Sequence, residues 1–151
     1  MRKFRFRLDR LLELRRYRER EWELKLATIT GRCFLIDQRI QQNRHNIVRT
    51  IRGRQLSVGR LDLNSLFACE LYMSRMDNEI GSLERELELR ERERDEVNQK
   101  YLVVSKDRKV LEKLREKKEA DYYRGQKKEE FKIADDITTG RSARIKVMGG
   151  R

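Results

Sequence analysis

The chain has 151 residues, of which 42% are charged and 37% are hydrophobic. So few apolar residues exclude the thick core of an ordinary globular domain, although the length alone would permit one. The net charge of +12 favours an acidic or polyanionic partner.

High charge is typical of disordered chains as well as of long helices, and the periodicity of the apolar residues separates the two. The chain contains no proline, which in a helix interior would cost about 3 kcal/mol. The basic N-terminus lacks the apolar segment of a signal peptide, and no stretch approaches the roughly 20 apolar residues that span a bilayer. With Cys33 and Cys69 as its only cysteines, we expect a soluble, cytoplasmic protein with reduced thiols.

In the first third of the chain, the spacing of the apolar residues alternates between three and four. This heptad pattern is typical of a helix in a coiled coil, and it predicts a helix over about residues 4–52. Its core-facing row, here called the seam, consists of Leu8, Leu12, Arg15, Glu19, Trp22, Leu26, Ile29, Cys33, Ile36, Ile40, Asn43 and Ile47.

A second heptad pattern predicts a longer helix over about residues 62–135. Asp62 is its expected N-cap, because a carboxylate accepts the unpaired N–H groups of a first helical turn. The seam of this helix consists of Leu66, Cys69, Met73, Met76, Ile80, Leu83, Leu87, Arg90, Arg94, Val97, Tyr101, Val104, Arg108, Leu111, Arg115, Lys118 and Tyr122.

Between the two patterns, residues 53–61 include Gly53 and Gly59 and predict a short connection. Long helices joined by a short connection pack as antiparallel neighbours. We therefore predict an all-α fold, an antiparallel two-helix coiled-coil hairpin with a longer second helix, as a single domain over residues 1–137. The glycine-containing remainder, residues 138–151, is expected to be a flexible tail.

A chain reversal at residue 57 or 58 would bring residue i near residue 115 minus i. On this register the second helix extends past the first from about residue 110 to about residue 135. The apolar residues there would lack an intramolecular partner: Leu114, Tyr122, Tyr123, Phe131 and Ile133. The same register places Arg94, a charged seam residue, near Glu19 or Glu21.

The positive charge is concentrated in two segments. Residues 1–25 and residues 101–128 each contain ten Lys and Arg against five Asp and Glu. An antiparallel hairpin brings these two segments to the same end, which should attract an acidic surface.

The residues capable of catalysis or metal binding are few and scattered. His45 has no Cys, Asp or Glu at ligand spacing, and both cysteines occupy seam positions, where they act as small hydrophobes and do not meet. A two-helix fold also offers no cavity for a substrate. We expect no enzyme, no cofactor, no metal and no small-molecule substrate.

Three segments carry a resemblance to a known family. They are the opening FRFRLDRLLELRRYRERE, with its Phe-x-Phe start and its Leu11-Leu12 pair, the basic KVLEKLREKKEADYY, and the acidic EEFKIADDI. Together they resemble FliJ, the small coiled-coil component of the bacterial flagellar type III export apparatus. The resemblance implies an antiparallel hairpin similar to the central stalk of rotary ATPases.

It further implies that the end with both termini binds the centre of the hexameric flagellar export ATPase and promotes its assembly and activity. The basic, overhanging end of this chain corresponds to that end. The residues expected to contact the ATPase are Phe4, Phe6, Arg7, Leu8, Leu11, Arg15, Leu114, Arg115, Lys117, Lys118 and Tyr122.

The resemblance implies a second contact, with the cytoplasmic domain of the export gate, and a role with export chaperones. The gate contacts of the family fall at Arg39, Asn43, Tyr72 and Met76, with Asn46 nearby. The expected location is the cytoplasm, peripherally on the inner membrane at the flagellar base.

Two other functions remain as alternatives. A generic coiled-coil scaffold would self-associate through the overhang. A nucleic-acid-binding protein would lose affinity steeply with salt, although the interspersed acidic residues and the absence of a known binding module speak against it.

Overall fold

The computed structural model describes residues 3–56, 59 and 62–148, except for the side chains of residues 146 and 147. The described chain forms helix α1, Asp9–Leu56, and helix α2, Leu63–Met148, without a strand. The helices contact each other as an all-α helical hairpin in which the second helix is longer, and this confirms the predicted fold class.

Helix α1 begins at Asp9 rather than at about residue 4. The preceding residues alternate between aromatic and arginine, a period of two that suits non-helical backbone better than a helix. Asp9 places a carboxylate in the first turn, where the helix dipole favours negative charge.

The connection is shorter than predicted, because α1 continues to Leu56. Its predicted turning point, residue 57 or 58, lies outside the described residues. Asp62 is the N-cap of α2, as predicted: its Oδ1 accepts the N–H of Asn64 at 3.3 Å, and its carbonyl accepts the N–H of Leu66 at 3.1 Å.

Helix α2 does not end at about residue 135 but continues to Met148. The hydroxyls of this last part do not divert the backbone from helix, because they bond to carbonyls one turn earlier. Ser142 donates to the carbonyl of Thr138 at 2.9 Å, and Thr138 and Thr139 donate to those of Ala134 and Asp135. That residues 138–151 are flexible stays a prediction.

The chain divides into two compact units. The terminal unit comprises residues 1–17 and 105–151, and the central unit comprises residues 18–104. In the terminal unit the buried side chains among the described residues are Phe6, Leu12 and Ser105, and Leu12 is only 1% exposed.

In the central unit the described buried side chains are Cys33, Ile40, Asn43 and Ile80. All four are predicted seam residues, and the other seam residues of this unit are half-buried. The heptad pattern therefore identified the packed face correctly. Both cysteines are free thiols, as expected.

The predicted register is wrong by about one heptad in each unit. In the terminal unit, Arg15 binds Asp107 at 2.8 Å, where the prediction placed residue 100. In the central unit, Lys100 lies 5.5 Å from the ring of Trp22, where the prediction placed residue 93. A shift of seven residues returns every seam residue to an equivalent position, so the pattern alone does not reveal it.

This shift changes which residues lack an intramolecular partner. The ring of Tyr122 packs on that of Phe4, with centroids 5.6 Å apart, and Leu114 lies beside the N-terminal residues. Phe131 and Ile133 are exposed, as predicted. The unaccompanied part of α2 thus begins after Tyr122 and not near residue 110.

The predicted contact of Arg94 with Glu19 or Glu21 is also wrong. Arg94 pairs with Glu91 at 3.9 Å and with Asp95 at 3.3 Å, both on its own helix. Its neighbour in the seam, Arg90, likewise turns to a residue of α2, Glu93, at 2.9 Å, and this hydrogen bond raises the pKa of Arg90.

A candidate partner-binding groove

The first feature of interest is the N-terminal arm, residues 3–8, which precedes α1 in the terminal unit. Phe4 is half-buried and Phe6 is buried, whereas Arg5 and Arg7 are exposed. The arm is joined to the helix by its own backbone: the carbonyl of Phe6 accepts the N–H of Asp9 at 3.3 Å. The arm therefore presents exposed guanidinium groups next to less exposed aromatic side chains.

The arm and α2 line an open groove of 540 Å³, which is within the range of about 300–1,000 Å³ for ordinary ligand sites. We call it the terminal groove. Its lining combines apolar surface with cations and consists of Phe4, Arg5, Phe6, Arg7, Leu8, Leu114 and Lys118.

The arm and the start of α1 are held on α2 mainly by charged and aromatic contacts. The Phe4–Tyr122 ring contact fixes the arm, and Asp9 lies 3.8 Å from Arg115 just after it. Further along α1, ion pairs join the two helices from Arg15 to Asp107 at 2.8 Å and from Arg16 to Glu112 at 3.0 Å. The groove thus lies beside ion pairs and a ring contact, and Phe6 and Leu12 supply the buried apolar side chains of this unit.

Several cations around the groove have no acidic partner among the described residues. Arg5 and Arg7 on the arm, and Lys117 and Lys118 on α2, are exposed and form no ion pair there. An apolar cavity surrounded by unneutralised cations suits a partner that offers an apolar side chain beside carboxylates.

The structure gathers six of the eleven residues that the sequence predicted for this end. Phe4, Phe6, Arg7, Leu8, Leu114 and Lys118 line the groove. Tyr122 and Arg115 hold the arm and the start of α1 instead, and Arg15 is engaged by Asp107. Leu11 and Lys117 are exposed but do not line the groove.

Sequence reasoning missed Arg5, which lines the groove between the two phenylalanines. Its position between the two phenylalanines of the Phe-x-Phe motif could have indicated that it lies beside them in the groove. The prediction of a two-helix fold without a substrate cavity did not anticipate this groove, in which the non-helical arm forms one wall. Among the described residues, no Asp, Glu, His or Cys lines this groove.

The second predicted set lies in the central unit and is not gathered in one place. Tyr72 is 40% exposed and lines a polar cavity of 350 Å³ with Asn46, Arg49 and Thr50. Arg39 is exposed and pairs with Glu79 at 2.9 Å, outside that lining.

The other two residues of this set belong to the helix packing. Asn43 is only 7% exposed, and Met76 is half-buried in the seam. Neither lines the cavity beside Tyr72, so the exposed surface here is centred on Tyr72 and Asn46. His45 is exposed, and the described residues include no cluster of potential metal ligands.

Comparison with known families identifies the chain. A family model described as Flagellar FliJ protein matches residues 4–146, which cover the arm from Phe4, all of α1 and α2 as far as residue 146. The chain belongs to the FliJ family. It is therefore a coiled-coil protein related to flagellar protein export. No curated protein and no solved structure matches this FliJ-family chain. Within the described residues, no helix is both long enough and apolar enough to cross a membrane.

Proposed function

We propose that the terminal groove of this FliJ-family protein binds the centre of the hexameric flagellar export ATPase. In that position the protein acts like the stalk of a rotary ATPase, without catalysis of its own, and promotes assembly and activity of the ring. The observation that carries the proposal is the groove itself, in which Phe4, Phe6 and Leu114 provide apolar surface beside unpaired cations.

The charge distribution supports this assignment. Residues 1–25 and 101–128 together carry ten of the twelve net positive charges of the chain, and the groove lies within these two segments. Unneutralised charge of one sign accelerates encounter with a surface of opposite sign. A scaffold that merely needs solubility does not require this concentration of charge at one site.

The second part of the proposal is coupling to the export gate and to export chaperones, and a surface of the central unit supports the gate contact. Tyr72 is exposed beside Asn46, Arg49 and Thr50, and tyrosine is enriched where proteins meet. We assign the contact with the cytoplasmic domain of the gate to this surface. Binding to both partners would hold the protein peripherally at the cytoplasmic face of the inner membrane.

The first experiment is light scattering of the export ATPase with nucleotide, in the presence and absence of the full chain. We expect the chain to shift the ATPase to a hexamer that contains one copy of it. The test variant reverses three charges, Arg5→Glu, Lys117→Glu and Lys118→Glu. Arg115 is left intact because it pairs with Asp9, and its reversal would disturb the arm as well as the binding surface.

A matched variant, Arg20→Glu, Arg32→Glu and Arg85→Glu, makes the same charge change on exposed residues of the central unit that form no ion pair in the described chain. We expect stimulation of the ATPase to fall at least about tenfold in the first variant, because the lost attractions act together, and to persist in the second. Equal loss of stimulation in both variants would show that net charge alone causes the effect. No loss in either variant would exclude the groove as the ATPase-binding site.

Tyr72→Ala separates the two proposed partners. It should weaken binding of the gate domain while leaving stimulation of the ATPase unchanged, because Tyr72 lies in the central unit. If the ATPase does not respond to the unaltered chain at all, the scaffold and nucleic-acid alternatives become the working hypotheses.

A further inference from the structure

The exposed end of α2 has chemistry complementary to that of the terminal groove. Residues 129–137, EEFKIADDI, contain four carboxylates and one lysine among apolar residues. They form the most acidic stretch of an otherwise basic end of the chain. Every residue from 127 to 145 is exposed, so none of these carboxylates is committed to packing.

One face of this stretch lies close to the line of the α2 seam, whose strict heptad continuation would reach Lys132 instead of Ile133. From Lys118 the spacing of four, three, four, four and three leads to Tyr122, Gly125, Glu129, Ile133 and Asp136. Residues so spaced lie on one side of a helix. This face therefore presents an isoleucine between two carboxylates, whereas Phe131 lies on a different side of α2.

The stretch cannot reach the groove of its own chain. Leu114 and Ile133 are on the same uninterrupted helix, nineteen residues apart, or roughly 28 Å along its axis. To fold back, α2 would have to break between them. A second copy has no such constraint, because its acidic face can approach the groove from outside.

We propose that the terminal groove also binds the acidic face of a second copy of this chain, and that the resulting dimer is reciprocal. With the two α2 helices antiparallel about a two-fold axis between Tyr123 and Arg124, Glu129 of each copy lies opposite Lys118 of the other. Ile133 then lies opposite Leu114, at the apolar lining of the groove. A two-fold axis makes each of these contacts twice.

Gly125 lies beside this axis, where it faces Tyr122 of the other copy. It has no side chain, and a Cβ built on it would meet nothing within 4 Å, so the described structure leaves that side of the helix open. Two helices can approach closely where a glycine faces the partner. The paired region, about 20 residues of each α2, is small for a stable interface, and we expect a micromolar dimer that weakens with added salt.

Sedimentation equilibrium of the full chain tests this, at chain concentrations up to roughly 100 μM and at low and high ionic strength. Lys118→Glu and Glu129→Lys should each raise the dissociation constant about tenfold, because each replaces two attractions by two repulsions. Ile133→Asp should raise it further. The controls are Lys113→Glu, Glu130→Lys and Phe131→Asp, which alter the same residue types on other sides of α2, and we expect no change from them.

An equimolar mixture of Lys118→Glu and Glu129→Lys gives the decisive result. In the mixed dimer each reversed charge meets a charge of opposite sign, so the mixture should associate like the unaltered chain although each variant alone does not. Circular dichroism checks that all variants keep their helix content.

A chain that stays monomeric at the highest concentration and low salt overturns the proposal. The proposal is also overturned if Lys118→Glu dimerises as well as the unaltered chain. It is overturned as well if the mixture of Lys118→Glu and Glu129→Lys associates no more tightly than each variant alone. None of these measurements contains the ATPase, so failure here leaves the proposed stalk function standing, and failure of that function leaves this dimer standing.

Discussion

The terminal and central units both join the two helices by ion pairs, but they differ in how many apolar side chains they bury. In the central unit, Cys33, Ile40 and Ile80 are buried in the seam. In the terminal unit, Leu12 is the one aliphatic side chain that the described structure buries as completely, and ion pairs and a ring contact provide much of the rest. The comparison indicates that the central unit maintains the fold, whereas the terminal unit keeps apolar and charged surface available for partners.

The largest expected effect comes from truncating the best-buried side chain of each unit. Leu12→Ala and Ile40→Ala should each lower the free energy of unfolding by about 2–3 kcal/mol, as buried aliphatic truncations do. Hydrogen exchange should separate them. Leu12→Ala should accelerate exchange mainly in the terminal unit, whereas Ile40→Ala should do so throughout.

Leu24→Ala is the matched control, because Leu24 is 69% exposed, and its effect should stay within about 0.5 kcal/mol. Identical exchange patterns for Leu12→Ala and Ile40→Ala would show that the two units unfold as one. The inference that the central unit alone maintains the fold would then be wrong.

A smaller effect of opposite sign is expected at Asn43. Its Nδ2 is buried and has no hydrogen-bond partner within the described structure, and an unsatisfied buried amide is destabilising. Asn43→Leu should therefore raise the free energy of unfolding by about 1 kcal/mol, measured by urea denaturation. A polar seam residue also helps to fix register, so the variant should show less uniform helix pairing despite its stability.

Asn78→Leu serves as its control, since Asn78 is exposed on α2 of the same unit. A leucine there should change stability by less than about 0.5 kcal/mol. If Asn43→Leu is destabilising instead, the amide has a partner in solution and contributes to the packing of the central unit.

The smallest effects concern the ion pairs. A double-mutant cycle on Arg15 and Asp107 should give a coupling of about 0.5 kcal/mol, because both side chains remain partly exposed. The cycle on Arg39 and Glu79 of the central unit should give less, since the Arg39 side chain is 67% exposed. Both couplings should shrink with salt. A larger coupling in the central unit would reverse the comparison.

The sequence was sufficient for the fold class and for the packed face, because heptad spacing reports directly on which side of a helix is buried. It was insufficient for the register, because seam residues one heptad apart are equivalent to the pattern. That single shift explains why Leu114 and Tyr122 were expected to lack partners and why Arg94 was expected beside Glu19 or Glu21.

The candidate groove was predictable in its residues but not in its shape. The Phe-x-Phe start and the basic run near Leu114 pointed to most of its lining. Residues 3–8 form an arm and not a first helical turn, and this depends on how Phe6 packs. The sequence predicted a helix for these residues, and a helix there would form no cavity. Asn43 differs from the groove residues: the sequence assigned it to the contact with the export gate, whereas the structure buries it between the two helices.

The exposure of residues 127–145 on every side has an evolutionary consequence. Substitutions there do not disturb any packed contact of the described chain, so folding exerts almost no selection on them. Selection can act on these positions only through what binds them. Sequence differences among family members after about residue 126 should therefore reflect changes in the binding partner. Differences at Leu12, Cys33 and Ile40 should instead be accompanied by substitutions in the residues that pack against them.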